Sequence, residues 1–272
     1  MRVNASIVLY KTDKEELRKI IDCFVNSSIK CCSLFLIDNS PDLELSSIAH
    51  LSDFIEYIHA GENVGYGAGH NIAIRRSLDL GVDYHIVLNS DISFTDKVIE
   101  KIAAFMECNL DVGHVMPKIT YPNGDLQYLC KLVPTPMDLL IRRFIPDCFA
   151  KNKRDLFELR GFSYDDIADV PYLSGCFMVL RINALKEIGL FDERFFMYPE
   201  DIDLTRRIAE KYRTVYYPFV SIVHDHAKGS YKTKKMLWIH LVNMVRYFNK
   251  WGWIFDSKRR QLNKRTLSAL GL

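Results

Sequence analysis

The chain alternates between two hydrophobic rhythms. Short apolar runs have the length of buried strands: VNASIVLY (residues 3–10), SLFLIDNS (33–40), DFIEYIHA (53–60), DYHIVLNSD (83–91) and VGHVMPKI (112–119). Between the first two, Leu17, Ile20, Ile21 and Phe24 recur at the spacing of a helix with one buried face. Thr12, with Glu15 three residues later, predicts a capping box at its start. The Gly-rich stretch NVGYGAGHNIAIRRSLDLG (63–81) reads as a turn entering a helix that stops at Gly81, and TDKVIEKIAAFMEC predicts a helix from Thr95. Strand and helix in alternation predict an α/β fold with a mostly parallel sheet flanked by helices on both faces. Sheets of this kind bind ligands beyond the carboxyl ends of their strands. Two such ends here carry polar clusters, Asp38-Asn39 and Asn89-Ser90-Asp91.

The second half is less regular. Residues 120–169 hold four of the nine prolines and read as loops with short helices, a lid or acceptor-facing region. YLSGCFMVLR (172–181) returns to strand, and NALKEIG predicts a short helix capped by Asn183 and stopped by Gly189. A loop with Pro199 leads into another helix, and RTVYYP and VSIVHDH read as late strands. Near the C-terminus, Leu237, Leu241, Met244, Val245 and Phe248 form one helical stripe, which Trp251, Trp253 and Phe255 extend.

Charge divides the chain unevenly. Residues 227–272 carry 11 Lys or Arg and one acid, Asp256, so this tail is near +10; residues 1–226, with 25 basic and 33 acidic side chains, are near −8. A basic, Trp-rich, amphipathic tail suits either peripheral contact with an anionic membrane or packing on the body or on a second subunit, as in a homodimer. The seven Cys include no CxxC pair, which argues for reduced cytosolic thiols and against a Cys-based zinc site. No stretch is apolar for long enough to span a membrane, and MRVNASIVLY is too short an apolar run for a signal peptide. These features predict a cytoplasmic protein, with the inner face of the plasma membrane as its place of work.

Four groups of residues carry candidate chemistry. Asp91, at a strand end with Asn89 two residues before it, is placed either to cap a turn or to hold a hard divalent cation. Gly65, Gly67 and Gly69 precede a helix N-terminus and either loosen a loop or let backbone approach a phosphate; the spacing is not that of a dinucleotide fingerprint. Glu200, Asp201 and Asp203 complement a helix dipole, or supply a general base. On a helix, Glu200 and Asp203 share a face and Asp201 points elsewhere. His224 and His226 lie on one face of an extended segment, and a neutral imidazole there could ligate Mn²⁺.

Taken together and in order, ASIVLY, FLIDNS, NVGYGAGHNIAI, VLNSDISF, LSGCFMVLR, IGLFDERFFMYPEDIDLTRR and VSIVHDH resemble the inverting family 2 glycosyltransferases, in particular the rhamnosyltransferase-like branch of bacterial O-antigen and capsule synthesis. The resemblance implies a GT-A fold over residues 1–226, with a nucleotide-sugar half to about residue 119 and an acceptor-side half from about residue 120, followed by the helical extension 227–272. It implies that Asp38 hydrogen-bonds the nucleotide base, that Leu9 and Tyr10 line that pocket, and that Asn63, Gly65, Gly67 and Asn71 border the nucleotide and ribose. NSD takes the place of the family's DXD motif. There Asn89 replaces the first carboxylate, Ser90 borders the diphosphate, and Asp91 with His224 binds Mg²⁺ or Mn²⁺. Asp201 matches the catalytic base, with Glu200 sharing or orienting it. The implied reaction moves L-rhamnose from dTDP-rhamnose, or another sugar from a UDP donor, to a lipid-linked glycan with inversion.

Two rival classes fit less well. A nucleotidyltransferase needs a Gly-rich, basic loop after its first strand, which SIVLYKTDKEE lacks. A non-catalytic membrane or nucleic-acid adaptor has no use for Asp91, Asp201 and His224 together, and no nucleic-acid motif is present.

Overall fold

The structure, a computed structural model, describes residues 1–27, 32–95, 97–139, 147–225 and 234–272. His226 and the first residues of the tail lie outside them, as does Asp96. Strands β1 (Val3–Leu9), β2 (Ser33–Asp38), β3 (Ile55–His59), β4 (Tyr84–Leu88), β5 (Ile92–Phe94), β6 (Val112–Thr120), β7 (Cys130–Lys131), β8 (Ala168–Asp169), β9 (Tyr172–Leu173), β10 (Phe177–Arg181) and β11 (Arg213–His224) alternate with helices. The helices are α1 (Lys14–Val25), α2 (Tyr66–Leu80), α3 (Val98–Cys108), α4 (Asp147–Phe157), α5 (Ile182–Ile188), α6 (Glu200–Ala209), α7 (Lys234–Trp251) and α8 (Ser257–Leu270). The main sheet runs β3-β2-β1-β4-β10-β6-β11-β5, with β8 beside β11. Its first four strands are parallel, whereas β10 is antiparallel to both β4 and β6.

Buried strands need apolar side chains on both faces, and the sheet shows them. Ile86 and Leu88 of β4 face the larger core cluster, while Val87 between them faces a second cluster with Ile74, Leu185 and Leu204. Under α2 runs a buried polar chain: Ser6 Oγ lies 2.7 Å from His70 Nδ1 and 2.8 Å from His85 Nε2, and Ser77 Oγ lies 2.7 Å from His85 Nδ1. Burial holds both imidazoles neutral, His85 down to about 3.

Several local expectations change. Asp13, not Thr12, caps α1, accepting from the Glu15 and Glu16 amides; Thr12 Oγ1 instead accepts from the Tyr10 amide, so no capping box forms. Helix α3 starts at Val98, not Thr95. Helix α5 continues directly from β10, so Asn183 lies inside it rather than capping it. The two expected late strands are one, β11, whose register on β6 slips between Tyr217 and Ser221, around Pro218.

The apolar tail stripe packs inward. Met244, Tyr247 and Phe248 of α7 join the main core, and Leu262 of α8 packs with Val133 and Ala209. Arg206, 1% exposed, makes a two-pronged ion pair with Asp256 at 2.7 Å and lies 3.9 Å over the Trp251 ring. The tail is therefore fastened to α6. No helix among the described residues is long and apolar enough to cross a membrane.

Candidate active site

Register brings the polar strand ends together. Leu9 pairs with Asp38, and Ile7 with Leu88, so β1, β2 and β4 finish on one edge. Because β10 is antiparallel to β4, it begins on that edge, and the Asn89 amide donates to the Cys176 carbonyl at 3.0 Å. Strand β11 ends there too: His224 pairs with Ile92, and the Asp225 amide donates to the Asp91 carbonyl.

The residues divide into two groups. In the first, Asp38 is fully buried; its carboxylate accepts from the Ser40 amide at 2.8 Å and from the Tyr57 hydroxyl at 2.6 Å. Burial, reinforced by Asp38, raises the Tyr57 phenol above its ordinary pKa. The Leu9 side chain is buried in the core, whereas Tyr10 beside it is half exposed. Asn63 Oδ1 accepts from the Gly65 amide and from Asn39 Nδ2. Gly65 has φ +93°, and a Cβ there would stand 2.3 Å from the Phe196 carbonyl oxygen, so no other residue fits. The close backbone approach that Gly65 permits is thus to protein, and the next amide, Tyr66, donates to that carbonyl at 3.0 Å. Gly67 packs on Phe191 and Glu200. Asn71 spends its amide on the loop before α6, donating to the Phe191 carbonyl and to Glu193 and accepting from the Phe191 amide.

The second group surrounds a cavity of about 850 Å³, whose walls include Asn89, Cys176, Tyr198, Glu200, Asp201 and His224. Tyr66 links the groups: its hydroxyl lies 3.0 Å from Asn89 Oδ1 and 2.8 Å from the Gly175 carbonyl. Burial, with Cys176, Glu200, Asp201 and Asp91 around it, holds that phenol well above its ordinary pKa. His224 Nε2 lies 3.3 Å from Asp91 Oδ1, near enough for attraction but out of line for a hydrogen bond, so this buried oxygen has no donor. His224 Nδ1 is 2.9 Å from Gln127 Oε1, and Gln127 Nε2 donates back to the His224 carbonyl. Burial opposes charge on His224, yet the Asp91 carboxylate and Cys176 raise its pKa to about 10. Ser90 sits between Asn89 and Asp91 in the same turn.

Helix α6 sends its three acids to different surroundings. Asp203 is buried beneath, where Trp251 Nε1 donates to it at 2.8 Å and Arg207 and Lys250 pair with it. Asp201 turns into the cavity, accepting from the Gly175 amide at 3.0 Å and the Ile202 amide at 2.8 Å, with the Tyr172 hydroxyl at 3.4 Å. Glu200 lines the cavity with Asp201 instead of sharing the buried side of Asp203 as expected, and it is buried with one oxygen lacking a donor. Burial and the neighbouring Asp201 charge raise its pKa well above normal.

The loop entering α6 is held from both sides. In front are Tyr66 and Asn71; behind, Asn243 Nδ2 donates to the Met197 carbonyl at 2.9 Å, Arg246 to the Arg194 carbonyl at 2.8 Å, and His240 meets the Tyr198 ring edge-on. Sequence reading missed Gln127, Tyr66, Gly175 and Asn243. Each acts through contacts distant in the chain, and only the Gly-rich turn around Tyr66 left a local trace.

Among the described residues, no three His, Cys, Asp or Glu gather around one point as a metal cage. The donor-less Asp91 oxygen would nonetheless fit a divalent cation, with His224 joining as a ligand only where the cation displaces the proton that Asp91 favours on its Nε2.

Known proteins carry the same pattern. Residues 7–189 match the profile "Glycosyl transferase family 2". The N-acetylglucosaminyl-diphospho-decaprenol L-rhamnosyltransferase of Mycobacterium tuberculosis is 24% identical over 208 residues, covering 73% of this chain and 68% of that protein. The rhamnosyltransferase WbbL of Escherichia coli is 24% identical over 249 residues, 89% of this chain and 90% of that one. Among solved structures, GalNAc-T7 with UDP, GalNAc and Mn²⁺ superposes with a TM-score of 0.69 at 14% identity, over 92% of this chain and 48% of its own. The mannosyltransferase PcManGT of Pyrobaculum calidifontis, with GDP-Man and Mn²⁺, gives 0.61 at 16% identity, over 100% and 70%. The chain spans about half the length of GalNAc-T7. The shared fold is GT-A, and with two thirds of its length inside the family profile the chain belongs to glycosyl transferase family 2, where it is rhamnosyltransferase-like.

Proposed function

We propose that this glycosyltransferase moves L-rhamnose from dTDP-rhamnose to a hydroxyl of a lipid-linked glycan, inverting the anomeric carbon, with Asp201 as general base. The observation that carries the proposal is the placement of Asp201 in the wall of one cavity with Asn89 and His224. The names of the rhamnosyltransferase relatives support the sugar and the lipid-linked acceptor. In this reading the acceptor hydroxyl enters the cavity and gives its proton to Asp201 as its oxygen attacks the anomeric carbon. The nucleotide diphosphate departs from the opposite face. The Gly175 and Ile202 amides fix the Asp201 carboxylate so that one orientation meets the acceptor. Glu200, on the same cavity wall, orients the base rather than sharing its task.

On the donor side, Asn63, Gly65 and Tyr10 border the nucleotide. Asp38 works from below, holding Tyr57 and Ser40 where the base lies. Asn89, Asp91 and His224 face the diphosphate. Asp91 and His224 would hold a divalent cation, Mg²⁺ or Mn²⁺, which when bound would supply positive charge against the leaving diphosphate.

Calorimetry with dTDP and with UDP, each with and without Mn²⁺, tests the donor side. Mn²⁺-dependent binding of dTDP that disappears in Asp91→Ala is the expected result. Preference for UDP would move the reading to a UDP-sugar donor. Absence of binding to either nucleotide, with or without the metal, would overturn it.

A further inference from the structure

We propose that the turn Gly252–Asp256 is a membrane-docking knob that seats Ile254 and Phe255 in the interfacial layer of an anionic bilayer. The sequence allows the tail helix either to lie on a membrane along its apolar stripe or to pack that stripe on protein. That stripe is spent on the body, since Met244 and Phe248 are buried in the core. Val245 and Trp238 of α7 also stay exposed, at 42% and 68%, but the most exposed pair in the tail is in the turn joining α7 and α8, where Ile254 is 69% exposed and Phe255, the most exposed large apolar side chain among the described residues, 87%.

This turn is built rigidly. Gly252 has φ +98°, and a Cβ there would stand 2.9 Å from the Phe255 carbonyl oxygen, so the chain folds back tightly at that point. Trp253 stacks on Phe248 at 5.3 Å and donates its indole N–H to Asn249. At the other end Asp256 accepts from the Arg259 amide as the cap of α8 and grips buried Arg206 with both oxygens. A loop free to collapse would cover two large apolar side chains; this one is braced so that they stay in water.

The surrounding charge selects the partner. Residues 257–272 contain no acid, and Lys258, Arg260, Lys264 and Arg265 are exposed along α8. The single acid of the tail, Asp256, is turned inward on Arg206. An apolar tip next to a helix that exposes cations and no acid of its own matches a bilayer with anionic headgroups, where the tip enters the interface and the cations meet phosphate. The proposal stands on the turn itself. It adds to the lipid-linked acceptor reading the surface by which the enzyme would reach such a substrate.

Co-sedimentation of the full chain with phosphatidylcholine vesicles, with and without phosphatidylglycerol, tests it. Wild-type protein should bind the phosphatidylglycerol vesicles, bind phosphatidylcholine alone more weakly, and release as salt rises. The double variant Ile254→Ser/Phe255→Ser, altered only at exposed positions, should lose binding by at least about tenfold while keeping the wild-type melting temperature. No binding to either vesicle, or equal binding by the double variant, would overturn the proposal. Concentration-dependent dimerisation abolished by Phe255→Ser would also overturn it, by assigning the knob to a second copy of the chain. Nucleotide plays no part in this measurement, so failure here and failure of the transferase reading are told apart by the calorimetry.

Discussion

Asp38 and Asp91 begin alike and end differently. Both stand at the carboxyl end of a parallel strand, each in a polar cluster, on one edge of the sheet. Asp38 has every need met by protein, through the Ser40 amide and the Tyr57 hydroxyl. Asp91 has a buried oxygen without a donor, facing His224. The helix α6 repeats the contrast within one turn: Asp203 is fully engaged by Arg207, Lys250 and Trp251, whereas Glu200 keeps an unpartnered oxygen at the cavity. A satisfied buried acid holds structure together. An unsatisfied one has been kept at a cost in stability and marks where a ligand belongs.

The comparison breaks most visibly at the reacting group. Asp201→Asn keeps the side chain's shape and its contact with Gly175 but removes the base. Sugar transfer should fall by about 10²–10⁴-fold with donor-nucleotide affinity unchanged, measured by turnover and calorimetry on one preparation. A variant with near-wild-type turnover would remove Asp201 from the mechanism.

The next effect is on stability alone. Asp256→Ala strands buried Arg206 without its partner and should cost about 3–5 kcal/mol in urea unfolding. A loss well below that would mean that the tail is not fastened through this pair.

The strand-end acids then separate. Asp38→Ala leaves the Ser40 amide and the Tyr57 hydroxyl unpaired and should destabilise the fold by about 1–3 kcal/mol. Asp91→Ala should destabilise the fold less than Asp38→Ala, because the lost attraction to His224 is offset by removal of a carboxylate oxygen that has no donor. Equal destabilisation by the two would erase the distinction drawn here.

Acid should act through the buried imidazoles, away from the site. His70, His85 and His114 have folded-state pKa values below the unfolded value, the last two about 3. Below pH about 6.5 the unfolded chain binds protons that the folded chain refuses, so stability is complete above that pH and declines as pH falls towards the folded values. One pH unit below 6.5, each imidazole should contribute about 1 kcal/mol to the loss, and His85→Asn should flatten the profile. Nothing in the structure explains why both ring nitrogens of His114 are buried without partners.

The smallest expected effect is at Asn243, which holds the Met197 carbonyl behind the catalytic loop. Asn243→Ala should lower kcat a few-fold with little change in KM, since it loosens the base and touches no substrate.

Local pattern made much of this legible. The runs around Val87 and Met178 read as buried strands because each face of the sheet takes alternate apolar side chains. The acids of YPEDIDLTRR read as a split cluster because a helix separates positions 201 and 203 by geometry alone. Where patterns competed, the structure chose: Asp13 took the cap from Thr12 because its carboxylate reaches two helix amides. The late β-prone runs fused because Pro218 interrupts the register and not the strand.

By itself, then, the sequence determined the alternating elements, the polar strand ends and the family motifs, because periodicity, turn chemistry and residue type act over a few positions. Only the tertiary structure decided which acids are satisfied, that the basic tail is clamped to α6 by Asp256, Trp251 and Lys250, and that Phe255 stays outside. The clamp of the tail depends on partners about 50 residues away in the chain, and no local pattern encodes which distant donor arrives at a buried carboxylate.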